Sequence, residues 1–94
     1  MRVRWLRRAL QNLDEEAAYI ATDDARAAAR TVESIAIGVA RLAAHPASGR
    51  AGRVPGTREL VVSGTPYVVA YRVRGETVEI LRVLHGARPW PEQF

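Results

Sequence analysis

The chain has 94 residues, 14 basic against 10 acidic side chains, a formal charge of +4 and no cysteine. That length suits one domain spanning residues 1–94 around a single core. The missing thiols exclude disulfides and thiolate metal sites, and no apolar run approaches the roughly 18 residues that cross a membrane. No charged-then-apolar leader opens the chain, so a cytoplasmic protein is the expectation. Every basic residue is arginine, unevenly placed: four with no acid in residues 1–8, three against six acids in 9–49, and seven against four in 50–94. Positive potential thus gathers on the expected strands and loops, a surface that attracts an acidic protein or a nucleic acid.

Met1 to Trp5 alternates Arg2 and Arg4 with Val3 and Trp5, a short strand with one apolar face. Leu6, Leu10, Leu13, Ala17 and Ile20 then recur at helical spacing, predicting an amphipathic helix over 7–21. Thr22-Asp23-Asp24 supplies N-cap chemistry for a second helix over 24–44, with Ala28, Val32, Ile35, Val39 and Leu42 on its buried stripe. It stops at His45-Pro46, because the residue before a proline is pushed out of the helical region. Residues 47–56, ASGRAGRVPG, read as a loop with Arg50 and Arg53 pointing outward.

From Thr57 to Trp90 three strands follow: one around Val61-Val62, one from Tyr67 to Val73 and one from Thr77 to Leu84. Ser63-Gly64-Thr65-Pro66 and Arg74-Gly75 make the hairpin turns. Tyr67, Val69, Tyr71 and Val73 form a core face opposite Val68, Ala70, Arg72 and Arg74. The last run is apolar at both parities, which suits an inner strand. The order β-α-α-β-β-β predicts an α+β domain, a helical hairpin packed on one face of a small, mainly antiparallel sheet.

Metal binding is not indicated: His45 and His85 fall in different elements and the acids lack ligand spacing. Asp14-Glu15-Glu16 reads as a solvated helix face. Gly49-Arg50-Ala51-Gly52 has a GxxG form, but a strand follows it, so its glycines read as turn residues. No Ser, His and acid set suggests a nucleophile. What remains is cationic. Arg72 and Arg74 project from the expected open face, Arg58 begins one neighbouring strand, Arg82 lies near the end of the other, and His85, Arg88 and Trp90 follow at its exit. Such a set can hold RNA by phosphate contact and stacking. For metal-free cleavage His85 would be the acid and Arg88 the phosphorane stabiliser. The structural alternatives are a backbone-bonded His85, a Trp90 that lids the core edge, and an Arg82 paired with Glu79 or Glu59.

The segments LAAHPASGR, VPGTRELVV, PYVVAYRV and VEILRVLHGARPWP, behind a short strand and an Ala-rich hairpin, resemble the RelE/ParE superfamily of bacterial toxins over nearly the whole chain. These are the toxin halves of type II toxin–antitoxin modules, often described as plasmid stabilisation proteins. The resemblance implies a toxin without cofactor, silenced in a hetero-oligomer by an acidic, partly disordered antitoxin. The antitoxin's tail would wrap the hairpin and sheet, with contacts at Leu10, Leu13, Arg72 and Arg74.

The superfamily divides by target. RelE-like members cleave mRNA in the ribosomal A site with basic residues on the sheet and a C-terminal Tyr or His. Here the matching positions are Arg58, His85 and Arg88, while a second basic position falls at Leu60 and an arginine position at Val68. ParE-like members inhibit DNA gyrase, stabilise its cleaved DNA complex and need no such set. The two losses, the LHGARPWP tail and the long hairpin favour the gyrase-directed subgroup. A ribosome-dependent endoribonuclease is the alternative, and a non-toxic binding partner a third. Target contacts are expected at Arg58, Arg72, Arg82, His85, Arg88 and Trp90.

Overall fold

The computed structural model describes residues 1–94. The elements run β1 (Arg2–Trp5), α1 (Arg7–Ala21), α2 (Ala25–Arg41), β2 (Arg50–Ala51), β3 (Arg58–Val61), β4 (Tyr67–Arg74) and β5 (Thr77–His85). The sheet order is β1-β5-β4-β3-β2. Only β1–β5 is parallel; the other three pairs are antiparallel. The expected α+β architecture is therefore present, with one strand more than the sequence pattern predicts. That strand, β2, has two residues and exists only through its register with Glu59 and Arg58.

The helices form where their apolar spacing and caps dictate. Asp24 caps α2, its carboxylate accepting the Arg26 and Ala27 N–H groups at 3.0 and 3.1 Å. Such a cap stabilises by about 1 kcal/mol. Past Arg41 the chain tightens into i→i−3 bonds from Leu42, Ala43 and Ala44, so the regular helix is shorter than 24–44. On α1 the buried position is Ala9, and Leu10 is 47% exposed. Leu13 and Ile20 of the predicted stripe do pack against the core, but with Ala9 in place of Leu10, and the small Ala9 lets the helix lie close to β5. Ile35, Val39 and Leu42 of α2 meet Val69 and Tyr71 of β4 and Val78, Ile80 and Val83 of β5 in one core. Each such large apolar side chain contributes about 1.5–3 kcal/mol when fully buried.

The two core tyrosines of β4 each fasten one helix. The buried Tyr71 hydroxyl accepts the Gly49 N–H and donates to the Pro46 carbonyl, both at 2.8 Å. A Cβ on residue 49 would meet that hydroxyl at 2.5 Å, so the HPxxG spacing after α2 places a glycine where the ring passes. Four residues away, the Tyr67 hydroxyl donates to Glu16 of α1 at 2.8 Å.

A bulge between Ala70 and Tyr71 in the β4–β5 register explains why β5 is apolar at both parities. Val78, Ile80 and Val83 face the helices. Leu81, although 8% exposed, lies outside that cluster, as do the buried Val68 and Ala70. This second face of the sheet is roofed at its β3 side by residues 53–57 and the C-terminal segment. Arg53 lies over Trp90 at 3.7 Å, and Val54, Pro55, Gln93 and Phe94 line a depression with Leu81. Toward β1 the face is open, with a depression lined by Arg2, Arg4, Arg74 and Glu79.

Candidate functional site: arginines of the second sheet face and the C-terminal corner

The fourteen arginines divide cleanly. Arg50, Arg53, Arg58, Arg72, Arg74, Arg82 and Arg88 each have an internal hydrogen bond or ion pair. Arg2, Arg4, Arg7, Arg8, Arg26, Arg30 and Arg41 have no side-chain partner. Folding thus gives every arginine of residues 50–94 an internal partner, an acid for five of them and a carbonyl or amide oxygen for Arg58 and Arg82. The guanidinium groups without partners lie outside the segment where composition concentrates the arginines.

Glu59, 3% exposed, is the hub of the closed side. Its Oε1 accepts Arg50 Nε and Nη2 at 3.1 and 2.9 Å, and its Oε2 accepts the Arg53 backbone N–H at 2.8 Å. Arg50 and Arg53 therefore do not simply point outward; they turn back onto one carboxylate, and Arg53 carries the Trp90 ring on its guanidinium. Arg58 is likewise spent on backbone carbonyls, Gly49 at 2.9 Å and Ala47 at 3.4 Å.

At the C-terminal corner, Glu16 accepts both the Tyr67 hydroxyl and Arg88 Nη1, the latter at 2.9 Å. Burial, with the Glu16 hydrogen bond and charge behind it, pushes the Tyr67 phenol up to about 12. The His85 ring stands edge-on to Tyr67 at 5.6 Å. Its Nδ1 accepts the Ala87 N–H at 3.2 Å, and its carbonyl accepts Trp90 Nε1 at 3.1 Å. His85 is thus backbone-bonded, and Trp90 closes the sheet's edge.

Arg82 pairs with neither Glu79 nor Glu59. Its Nε donates to Asn12 Oδ1 at 2.7 Å, which also accepts the Val83 N–H, so α1 satisfies the β5 edge where β1 has ended. Burial lowers the Arg82 pKa, the Arg8 charge lowers it further, and Glu15 opposes both. Arg72 donates to Glu79 at 2.6 Å, and Arg74 stands 3.8 Å from the same oxygen. The Arg72 hydrogen bond holds the Glu79 carboxyl below the usual range; burial opposes it, and the charges of Arg72, Arg74 and Arg4 reinforce it.

The predicted residues do not converge on one point. Arg58 sits in register with Tyr71, while His85 is in register with Tyr67, four residues and about 13 Å further along β4. His85, Arg88 and Trp90 do share one corner. Glu16 was missed as its organiser, although it lies three residues from Leu13 and four from Ile20 on the core stripe. Also unforeseen is a groove of about 450 Å³ between α2 and β3, lined by Ile37, Gly38, Arg41, Leu60, Val61 and Val62 among others. Ile37 and Val61 are 46% and 52% exposed there. Because β2 covers only Arg58 and Glu59, the outer edge of β3 at Leu60 and Val61 has no strand partner.

Residues 3–90 match the family model described as ParE toxin of type II toxin-antitoxin system, parDE. A protein of Sinorhizobium fredii (strain NBRC 101917 / NGR234) named "Putative toxin Y4kP" is 52% identical over 91 residues, covering 97% of this chain and 94% of its own length. Among solved structures, a chain of the chromosomal ParDE TA system from P. aeruginosa is similar with a TM-score of 0.78 and 31% identity. It covers 88% of this chain and 92% of that one.

Proposed function

The chain belongs to the ParE toxin family of ParDE type II toxin–antitoxin systems, and on that premise we propose that it arrests growth by binding DNA gyrase rather than by cutting RNA. The observation that carries this reading is the dispersal of the cleavage set. Arg58 is bound to carbonyls, Arg88 to Glu16, and His85 Nδ1 to a backbone N–H, with Arg58 about 13 Å from His85 along the sheet. His85 and Arg88 share a corner, yet each already has an internal partner there. The other basic position, Arg58, is too far along the sheet to meet the same phosphate within hydrogen-bond distance. A toxin that acts by surface complementarity has no such requirement.

The antitoxin fits the groove between α2 and β3. An extended peptide can add to the unpaired edge at Leu60 and Val61, bury an apolar side chain against Ile37, and place an acidic residue at Arg41, which has no internal partner. Leu10 supplies a second exposed apolar contact on α1, whereas Leu13 packs against the core.

The test sets purified toxin against gyrase supercoiling and against mRNA on programmed ribosomes. Loss of supercoiling with intact mRNA is expected. Codon-phased cuts with supercoiling untouched would replace this reading by the endoribonuclease.

A further inference from the structure

The register places four arginines of two strands, β1 and β4, on either side of β5 on the open β1 side of the second sheet face. Arg2 pairs with Thr77, which pairs with Arg74; Arg4 pairs with Glu79, which pairs with Arg72. All four share the parity opposite Val3, Trp5, Val78, Ile80 and Tyr71, which pack into the core. Two rows result, with same-face neighbours along a strand roughly 6.6 Å apart. Arg2, Arg4, Arg74, Thr77 and Glu79 line a depression of about 380 Å³ with Val3. Arg2 and Arg4 are exposed and without partners, Arg74 is 68% exposed, and Glu79 is buried beneath them. Four guanidinium groups around one carboxylate leave +3; including Glu76, exposed on the β4–β5 turn and in no ion pair, leaves +2.

We propose that Arg2, Arg4, Arg72 and Arg74 form a binding site for the phosphodiester backbone of a nucleic-acid strand. Glu79 holds Arg72 flat on the sheet and attracts Arg74 at 3.8 Å, while Arg2 and Arg4 stand free and the exposed Arg74 joins them in meeting phosphate oxygens. The polarity of the depression selects the ligand class. A peptide that orders on binding must bury apolar side chains to offset the entropy it loses, and here only Val3 is apolar. A repeated phosphate needs cations alone. In the gyrase reading above, on which only the identity of the strand rests, this strand is the DNA of the gyrase complex.

The test is fluorescence anisotropy of a labelled oligonucleotide, single-stranded and duplex, titrated with the full chain over a salt series. Arg2→Ala/Arg4→Ala removes two partnerless side chains without touching the core. Affinity should fall about tenfold, and the slope of log K against log salt should shrink by about 1.5. Arg26→Ala/Arg30→Ala, an equal charge change on α2, should leave both nearly unchanged, and Glu79→Gln should tighten binding. Equal losses in the two double variants, or no binding at low salt, would overturn the site. So would retained oligonucleotide binding with lost binding of a poly-glutamate peptide, which makes the patch a contact for acidic protein. A wild type that binds DNA through these arginines yet leaves gyrase supercoiling intact would sink the target proposed above and leave this site standing.

Discussion

Glu59 and Glu79 are both buried on the same face of the sheet, and both gather arginines, yet they build opposite surfaces. Around Glu59 supply and demand match: one guanidinium and one backbone N–H occupy its two oxygens. The Arg53 side chain adds a 3.7 Å ion pair to the second oxygen and stacks on Trp90, and the C-terminal segment closes over the result. Around Glu79 a single hydrogen bond from Arg72 is made, while Arg74 and Arg4 contribute only through their charge. The first carboxylate finishes a piece of structure, and the second leaves a surplus of positive charge facing water. A buried acid in a basic protein therefore does not by itself signify neutralisation; the number of donors around it decides.

The largest test of this contrast is Glu59→Ala. It strips Arg50 of its acceptor and leaves the Arg53 N–H unpaired. With both arginines about half exposed, the expected cost is about 2 kcal/mol. For a chain of this size that lowers Tm by about 8–15 °C, measurable by circular dichroism. A shift of only a degree or two would show that water replaces Glu59 and that the closed side is not held by it. Trp90→Ala comes next, at about 1–2 kcal/mol, because it removes a partly buried ring, its bond to the His85 carbonyl and its stacking with Arg53. Limited proteolysis should then cut the residues after His85 faster than in the wild type.

On the open side, Glu79→Gln should disturb melting less than Glu59→Gln while strengthening oligonucleotide binding; an equal loss of Tm in the two variants would erase the distinction. The smallest effect is in acid. Glu79 titrates below its unfolded value, so its contribution is present above the ordinary carboxylate range and disappears as pH falls through the depressed folded value. Glu79→Gln should flatten that part of a melting-temperature profile, and an unchanged acid limb would show that other carboxylates control it.

Most of the framework is legible in one dimension, since Ile35, Val39 and Leu42 or Tyr67, Val69 and Tyr71 declare their faces by spacing alone. Strand β2 is not, because Arg50-Ala51 carries no periodicity and becomes a strand only beside Glu59 and Arg58. The destination of each arginine is also hidden. Arg82 finds Asn12 of α1 at a sequence separation of 70, past the end of β1, and Arg50 finds Glu59 across a register that no local pattern encodes. The strand pattern places His85, Arg88 and Trp90 together at the exit of the last strand, but the glutamate that gathers the corner comes from α1, 51 residues before Tyr67. The arginine quartet needed the parallel pairing of β1 with β5, which joins residues near opposite ends of the chain.

That pairing has a consequence for when the quartet can assemble. Arg2 waits for Thr77 and Trp5 for Ile80, so β1 has no strand to join until β5 has been made. Chains elongate at about 5–20 residues per second, so a nascent toxin spends several seconds with its first strand unpaired and its basic quartet unassembled. Assembly of the quartet is thereby tied to synthesis of β5, and an interrupted product that stops before that strand is a fragment without it.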